Sequence, residues 1–517
     1  MSNLPSYLTS AKPIPASKRA PWYKTIMPAY IGVMLWFVFW QDVPTGGMDP
    51  APPYGMLSQG VVTAFVGLII AAVICHFLFY MAPAMLGMST GLPLYVVGTS
   101  TYGATGGLFM PGLLMGLLQF GWLAVNGYFV AEILCRCFGI DGTVPGWPHG
   151  IIATAYIILA AFVGLKGISY VGRVGTYLPL IPIAVLLLLV VFAFRGGEEW
   201  NEDNSINLYP VVELIVVDES SPAEDIELYT RQQKMRERQI AEYKSRPAPY
   251  SSVLQIFGIM CVYVVGFFAT AGAAGADIAM NSRSREDVHI GGVSGILLPT
   301  VLAGEAAMFI VVLAYGGKMI PPEAVGEYNP VKLMKYIFKN DTLTNIAMIG
   351  LAISAFPGAC FASFIAANSF KTTMPRISPF VSVGLGALAA AFLAVTGWVG
   401  QVIWVFVLIG ASFGPVCGAM LADYLMAGRK WSGPRAGFNP AGWISWIVGF
   451  IVGAFNLAVN MMSNWEWANN MFPNLEHYQN YVPVSPVTAF LVGFALYVLL
   501  SVVGLRTRIV ATPTETE

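Results

Sequence analysis

The sequence predicts an all-α polytopic membrane protein with twelve transmembrane helices. Three observations carry that prediction. Hydrophobic residues make up 56% of the 517-residue chain and charged ones only 11%, against about 25% charged in soluble domains. The apolar residues gather near 24–41, 58–83, 107–134, 151–167, 171–194, 252–273, 290–315, 343–368, 378–397, 400–426, 438–460 and 486–505, and most of these stretches reach the roughly 20 residues a bilayer span needs. The basic residues then sort by side. Lys12, Lys18, Arg19, Lys24, Lys166, Arg173, Arg283, Arg285, Lys371, Arg376, Arg429, Lys430, Arg435, Arg506 and Arg508 fall together on the side of the termini, whereas 461–485 holds no Lys or Arg. That bias predicts cytoplasmic N- and C-termini in an inner or plasma membrane. The first 23 residues carry no hydrophobic core of a cleavable signal.

In chain order the expectation is a cytoplasmic tail (1–23), a first set of five helices (24–194), a charged extracytoplasmic loop (195–251), a second set of five (252–426), two additional helices (427–505) and a short cytoplasmic tail (506–517). The first span contains AYIGVMLWFVFW and the sixth GFFATAGAAGAD. If the sets are inverted repeats, these two are partners, and both interrupt bulky apolar residues with small ones. Such interruptions suit unwound backbone facing a midplane site, which lipid tolerates only where it lines a cavity. Helix packing through small residues explains Gly266, Thr270 and Ala274 as well, but not the aromatic bulk of Phe267 and Phe268 beside them. The fifth span (VLLLLVVFAF) is plain hydrocarbon. Between 197 and 250 stand twelve acids and six bases, and Ser221, Pro222 and Glu224 read as the capped start of a solvated helix.

The third span places Gln119 and Trp122 three apart, on one helix face. An amide offers a donor and an acceptor to a base edge, and the indole, midspan rather than interfacial, offers a stacking wall. Trp40 reads as an interfacial residue near the outer end of the first span, and His76 as a hydrogen-bonded packing residue. Glu305, in LAGEAAMFIVVLAYGG of the seventh span, is an acid inside a hydrophobic helix, by default a functional hypothesis. No span carries a clustered His/Glu/Asp set, a nucleophile elbow or metal-ligand spacing. No catalytic residue, metal, cofactor or nucleic-acid partner is therefore expected.

Several segments between about 24 and 455 resemble the nucleobase–cation symporter family of purine, cytosine, allantoin and hydantoin permeases. The similar stretches are GLPLYVVGTSTYGATGG, GLLQFGWLAVN in the third span, FFATAGAAGADIAMNSRS in the sixth, GPVCGAMLADYLMAGRK in the tenth and FNPAGWISWIVG opening the eleventh. The resemblance implies a five-plus-five inverted repeat of the LeuT type with two extra helices, working by alternating access on a small planar heterocycle with a cation. It implies substrate contacts at Gly32 (the unwound position of the first span), Trp36, Gln119, Trp122, Phe267, Thr270 and Ala271. Asp277 and Asp423 fall at inner-gate, structural positions. The family's sodium ligands on the eighth span correspond here to Ala355, Gly358 and Ala359, none with a side-chain oxygen. Proton coupling through Glu305 is the expectation in place of sodium. A non-transporting sensor that keeps the fold, and a permease for a less polar solute, stand as alternatives.

Overall fold

Every predicted span forms helix where the computed structural model describes it, which covers residues 4–48, 51, 54–140, 144–166, 177–196, 252–321, 324, 326–510 and scattered positions between 222 and 238. The helices are α1a (Ile26–Met34) and α1b (Phe37–Trp40), α2 (Val61–Thr90), α3 (Leu108–Cys137), α4 (Trp147–Leu165) and α5 (Leu180–Gly196). They continue as α6a (Val253–Ala273) and α6b (Gly275–Ala279), α7 (Arg285–Gly316), α8 (Asp341–Thr373), α9 (Pro379–Val395), α10 (Val402–Met426), α11 (Pro440–Met462) and α12 (Ser485–Val502). Among the described residues, nine are long and apolar enough to cross a membrane, α5 and α9 are shorter, and α1 is split. The expected external helix lies mostly outside the described residues; its described positions from 229 onward are helical.

Two packed bodies share the structure. In one, α3, α4, α8 and α9 interlock: Phe120 of α3 stacks on Phe370 of α8 with ring centroids 5.6 Å apart. In the other, α1, α2, α6 and α7 pack together. Tyr30 meets Tyr80 edge-on at 5.4 Å, and the Tyr80 hydroxyl donates to the Val288 carbonyl at 3.0 Å. α2 and α7 each carry one wide π turn, Cys75–Tyr80 and Val293–Leu297, and the two turns meet. α5 touches both α7 and α8, while α10 lies on α6a and is backed by α11 and α12.

The breaks in α1 and α6 have identifiable causes. In α1 the interruption falls at Leu35–Trp36, where Trp36 turns extended (ψ 124°), and not at Gly32. Gly32 sits exposed inside α1a, with only a Pro179 carbon near where a Cβ would be, at 3.9 Å. What holds the break is side chains from further along the chain. A helix end leaves carbonyls without partners; here the Trp40 indole donates to the Leu35 carbonyl at 3.1 Å, and at the far end of α1b the Tyr263 hydroxyl donates to the Phe39 carbonyl at 2.6 Å. Trp40 is thus wholly buried, not an interfacial residue. His76 is also buried, against Phe77 and Tyr80, but its Nδ1 makes no hydrogen bond. α6a begins with Ser252 accepting from the Gln255 amide, half of a capping box, and breaks at Ala274. Part of its small-residue run is packing: a Cβ on Gly266 would lie 2.7 Å from the Phe406 carbonyl oxygen of α10.

Candidate functional site

At the seam where α1, α3, α6a and α10 meet, the side chains form a continuous aromatic cluster. Trp36 stands at the α1 break and Trp122 on α3, their ring centroids 5.8 Å apart and inclined at 69°. Phe267 of α6a stacks on Trp36 at 6.2 Å and meets Trp122 edge-on at 5.3 Å. Phe406 of α10 closes the far side, 5.6 Å from Trp122 and 5.3 Å from Phe267. Phe39 and Tyr263 extend the stack behind Phe267. The Trp122 indole N–H donates to Thr270 Oγ1 at 3.0 Å, which fixes the angle of that ring.

Two polar atoms in this region are buried without a partner: the Trp36 indole nitrogen and the Asn126 amide oxygen. Asn126 lies one turn beyond Trp122 on α3, its amide nitrogen donating to the Trp122 carbonyl at 3.2 Å. Buried polar groups are nearly always hydrogen-bonded, so the orphan Trp36 donor, set in a wall of π faces, is open to an acceptor, and the Asn126 oxygen one turn along α3 is open to a donor. Gln119 is buried one turn the other way, its amide donating only to the weakly accepting Met115 sulfur at 3.3 Å. A planar ring inserted between Trp36 and Phe267 would need about 7 Å of separation, two contact distances. The seam must widen slightly to take one.

The structure thus brings Trp36, Trp122, Phe267 and Thr270 together, and it leaves other expected residues elsewhere. Gly32 is outside the seam. The Ala271 carbonyl, expected to face a ligand, accepts the Tyr30 hydroxyl at 2.8 Å. Tyr30→Phe is expected to orphan that carbonyl and lower stability by about 1–3 kcal/mol; a thermal melt unchanged from the parent would refute the assignment. Asp277 accepts from the Leu94 amide at 3.1 Å, capping the short helix Leu94–Val97; the basic residue Arg283 pairs instead with Asp287 at 3.2 Å. Asp423 is buried on α10, accepting from the Tyr497 hydroxyl at 2.7 Å with Arg435 Nη2 at 3.6 Å.

On α8, Ala355 and Ala359 are buried and Gly358 is exposed with open space where a Cβ would be. The nearby hydroxyls turn back on their own helix: Ser354 donates to the Leu351 carbonyl at 2.8 Å and Ser363 to Ala359 at 3.1 Å. Glu305 is half-buried and makes no hydrogen bond or ion pair with the described residues. It shares a helical stripe with Leu298, Leu302 and Phe309, all exposed on the outer surface of α7, at spacings of three and four residues.

Sequence reasoning missed Phe406, Phe39, Tyr263 and Asn126. Tyr263 and Asn126 carried a usable signal, since each lies four residues from a chosen one, Phe267 and Trp122, on the same face. Phe406 carried none, being one apolar residue within WVFVLIG.

Solved transporter structures share this overall fold. Mhp1, a nucleobase-cation-symport-1 family transporter, in a closed conformation with bromovinylhydantoin bound, superposes with a TM-score of 0.59 at 13% identity, over 97% of each chain. Inward-facing Mhp1 gives 0.59 at 15%, over 96% of this chain and 95% of that one. A substrate-bound, outward-open Na+-coupled sialic acid symporter gives 0.53 at 14%, over 96% and 92%. The fold is that of a LeuT-type membrane symporter. No protein-family model matches the chain, nor does any curated protein. In the symporter fold the aromatic seam lies where the α1 break, α3 and α6 converge, which is where discontinuous helices place substrate in such transporters.

Proposed function

We propose that the chain is a secondary active transporter, a divergent nucleobase–cation symporter that takes up a purine or pyrimidine base or a related small planar heterocycle by alternating access. The observation that carries this reading is the seam itself: the rings of Trp36, Trp122, Phe267 and Phe406, with the unpartnered Trp36 N–H among them and the unpartnered Asn126 side-chain oxygen one turn along α3 from Trp122. Flat heterocycles present stacking faces together with edge donors and acceptors, and such sites combine apolar walls with a few fixed polar groups. Uptake into proteoliposomes of labelled uracil, cytosine, adenine, hypoxanthine, allantoin and a hydantoin, under imposed sodium or proton gradients, tests it. Accumulation of at least one is the expected result. The proposal does not survive if none is bound or accumulated.

The coupling ion is a cation, as in the sodium-coupled symporter of similar fold. Sodium prefers a shell of hard oxygen ligands. Ala355, Gly358 and Ala359 supply none from side chains, and Ser354 and Ser363 spend their hydroxyls on α8 itself. A proton gradient is therefore expected to drive uptake better than a sodium gradient. Glu305, between the outward-facing Leu302 and Phe309, has a place suited to a lipid-facing residue rather than a carrier in the seam. Glu305→Gln is expected to leave proton-driven uptake within about two-fold of the parent; complete loss would restore it as the carrier. The missing α8 oxygens also favour a second reading, a sensor with binding but no concentrative uptake, and flat uptake traces for a ligand that binds would select it.

A further inference from the structure

We infer that the cavity of about 460 Å³ at the bundle end where α10 and α12 finish is a seat for a phosphate-bearing anion. Its polar lining is Ser432, Arg435, Ser501 and Arg506. Arg435 is 6% exposed, held by donating to the Ser100 carbonyl at 2.8 Å and to the Thr507 carbonyl at 2.9 Å, with Asp423 at 3.6 Å. A guanidinium has five N–H donors, so about two remain for another acceptor. Arg506 makes no hydrogen bond or ion pair with the described residues, and the Ser432 and Ser501 hydroxyls are buried without partners. Two cations thus face one carboxylate, and that carboxylate already accepts from Tyr497. The excess of positive charge and of donors is what a phosphate group satisfies.

The walls are fixed before any ligand arrives. The Ala436 amide donates to the Arg508 carbonyl at 2.9 Å and the Val510 amide to the Pro434 carbonyl at 2.8 Å, so the segment after α12 is stitched to the segment after α10. Of the lining residues, Met426 and Ile509 are apolar and exposed, and Val502 and Val503, next in sequence to the lining residues Ser501 and Gly504, are exposed as well. A basic cavity with an apolar rim at a membrane surface suits the headgroup of an anionic lipid, whose acyl chains would lie along the rim. The same donors would hold a soluble phosphate.

The test is thermal unfolding of the purified full-length protein in detergent, titrated separately with phosphatidylglycerol, phosphatidylcholine and inorganic phosphate. The expected result is a saturable rise in Tm with phosphatidylglycerol and none with phosphatidylcholine. Arg506→Gln, which removes no internal hydrogen bond, should weaken the apparent affinity about five-fold or more. Lys430→Gln, on the exposed part of the neighbouring loop, should not. An equal shift from inorganic phosphate, lost in Arg506→Gln, supports the seat and identifies its occupant as a soluble anion. Equal shifts from both lipids, or equal weakening by Arg506→Gln and Lys430→Gln, would overturn the inference, leaving only general attraction to the surface.

Discussion

Trp122→Ala is expected to weaken substrate binding by about 5- to 150-fold, the range for losing one stacking partner worth about 1–3 kcal/mol. The ring is central: it touches Trp36, Phe267 and Phe406, and its N–H anchors it to Thr270. Removing it also leaves Thr270 without that donor and opens a void between Phe267 and Phe406. Trp122→Phe restores a face without the N–H and should recover most of the affinity. If the Thr270 bond orients the indole, Thr270→Val should reduce binding in the parent yet have almost no effect when combined with Trp122→Phe. The measurement is equilibrium binding of the best substrate from the uptake panel. Full affinity in Trp122→Ala would remove the seam as the binding site.

Asp423→Ala should be the most damaging single change to stability, at about 3–5 kcal/mol, because it strands a buried guanidinium. Asp423 and Arg435 are 3% and 6% exposed. Arg435 cannot swing out to water without giving up the Ser100 and Thr507 carbonyls, and Tyr497 loses its acceptor at the same time. The effect would appear as a large fall in Tm of the solubilised protein, with Asp423→Asn intermediate because it keeps an acceptor for Tyr497. A melt within a degree or two of the parent for Asp423→Ala would show that the pair contributes little.

The helices were legible in the sequence because lipid imposes one strong rule, an apolar stretch long enough to cross. The existence of breaks in α1 and α6 was legible too, from small residues among bulky ones. Their positions were only partly so. Gly32 drew attention as the residue most tolerant of unwinding, yet backbone freedom is a weak local preference. The break settled three residues further on, where the Trp40 indole satisfies the Leu35 carbonyl and Tyr263 holds the far end of the short helix that follows. Tyr263 belongs to another helix, so no local window could contain that information. Trp36, Trp122, Phe267 and Thr270, which the structure brings together, were named through the family resemblance, with Trp122 and Phe267 also standing out as aromatic bulk beside polar and small residues. Phe406 resembles any lipid-facing phenylalanine until α10 is seen beside α3. Glu305 illustrates the converse: its neighbours are apolar on every side, so the sequence announces an acid in a span without saying which way it faces.

Short segments that follow a final helix are commonly dispensable. Residues 505–510, which follow α12, are not trimmings. The Thr507 carbonyl holds Arg435, the Thr507 amide donates to the Asn439 side chain at 3.0 Å, and Arg508 and Val510 complete the pairing with 434–436. Asn439 in turn donates to the Thr101 carbonyl, in the segment that leads into α3. A chain cut at the end of α12 would keep every described membrane helix and lose the clasp between α10, α12 and the approach to α3. A reporter replacing 505–510 would prise that clasp open.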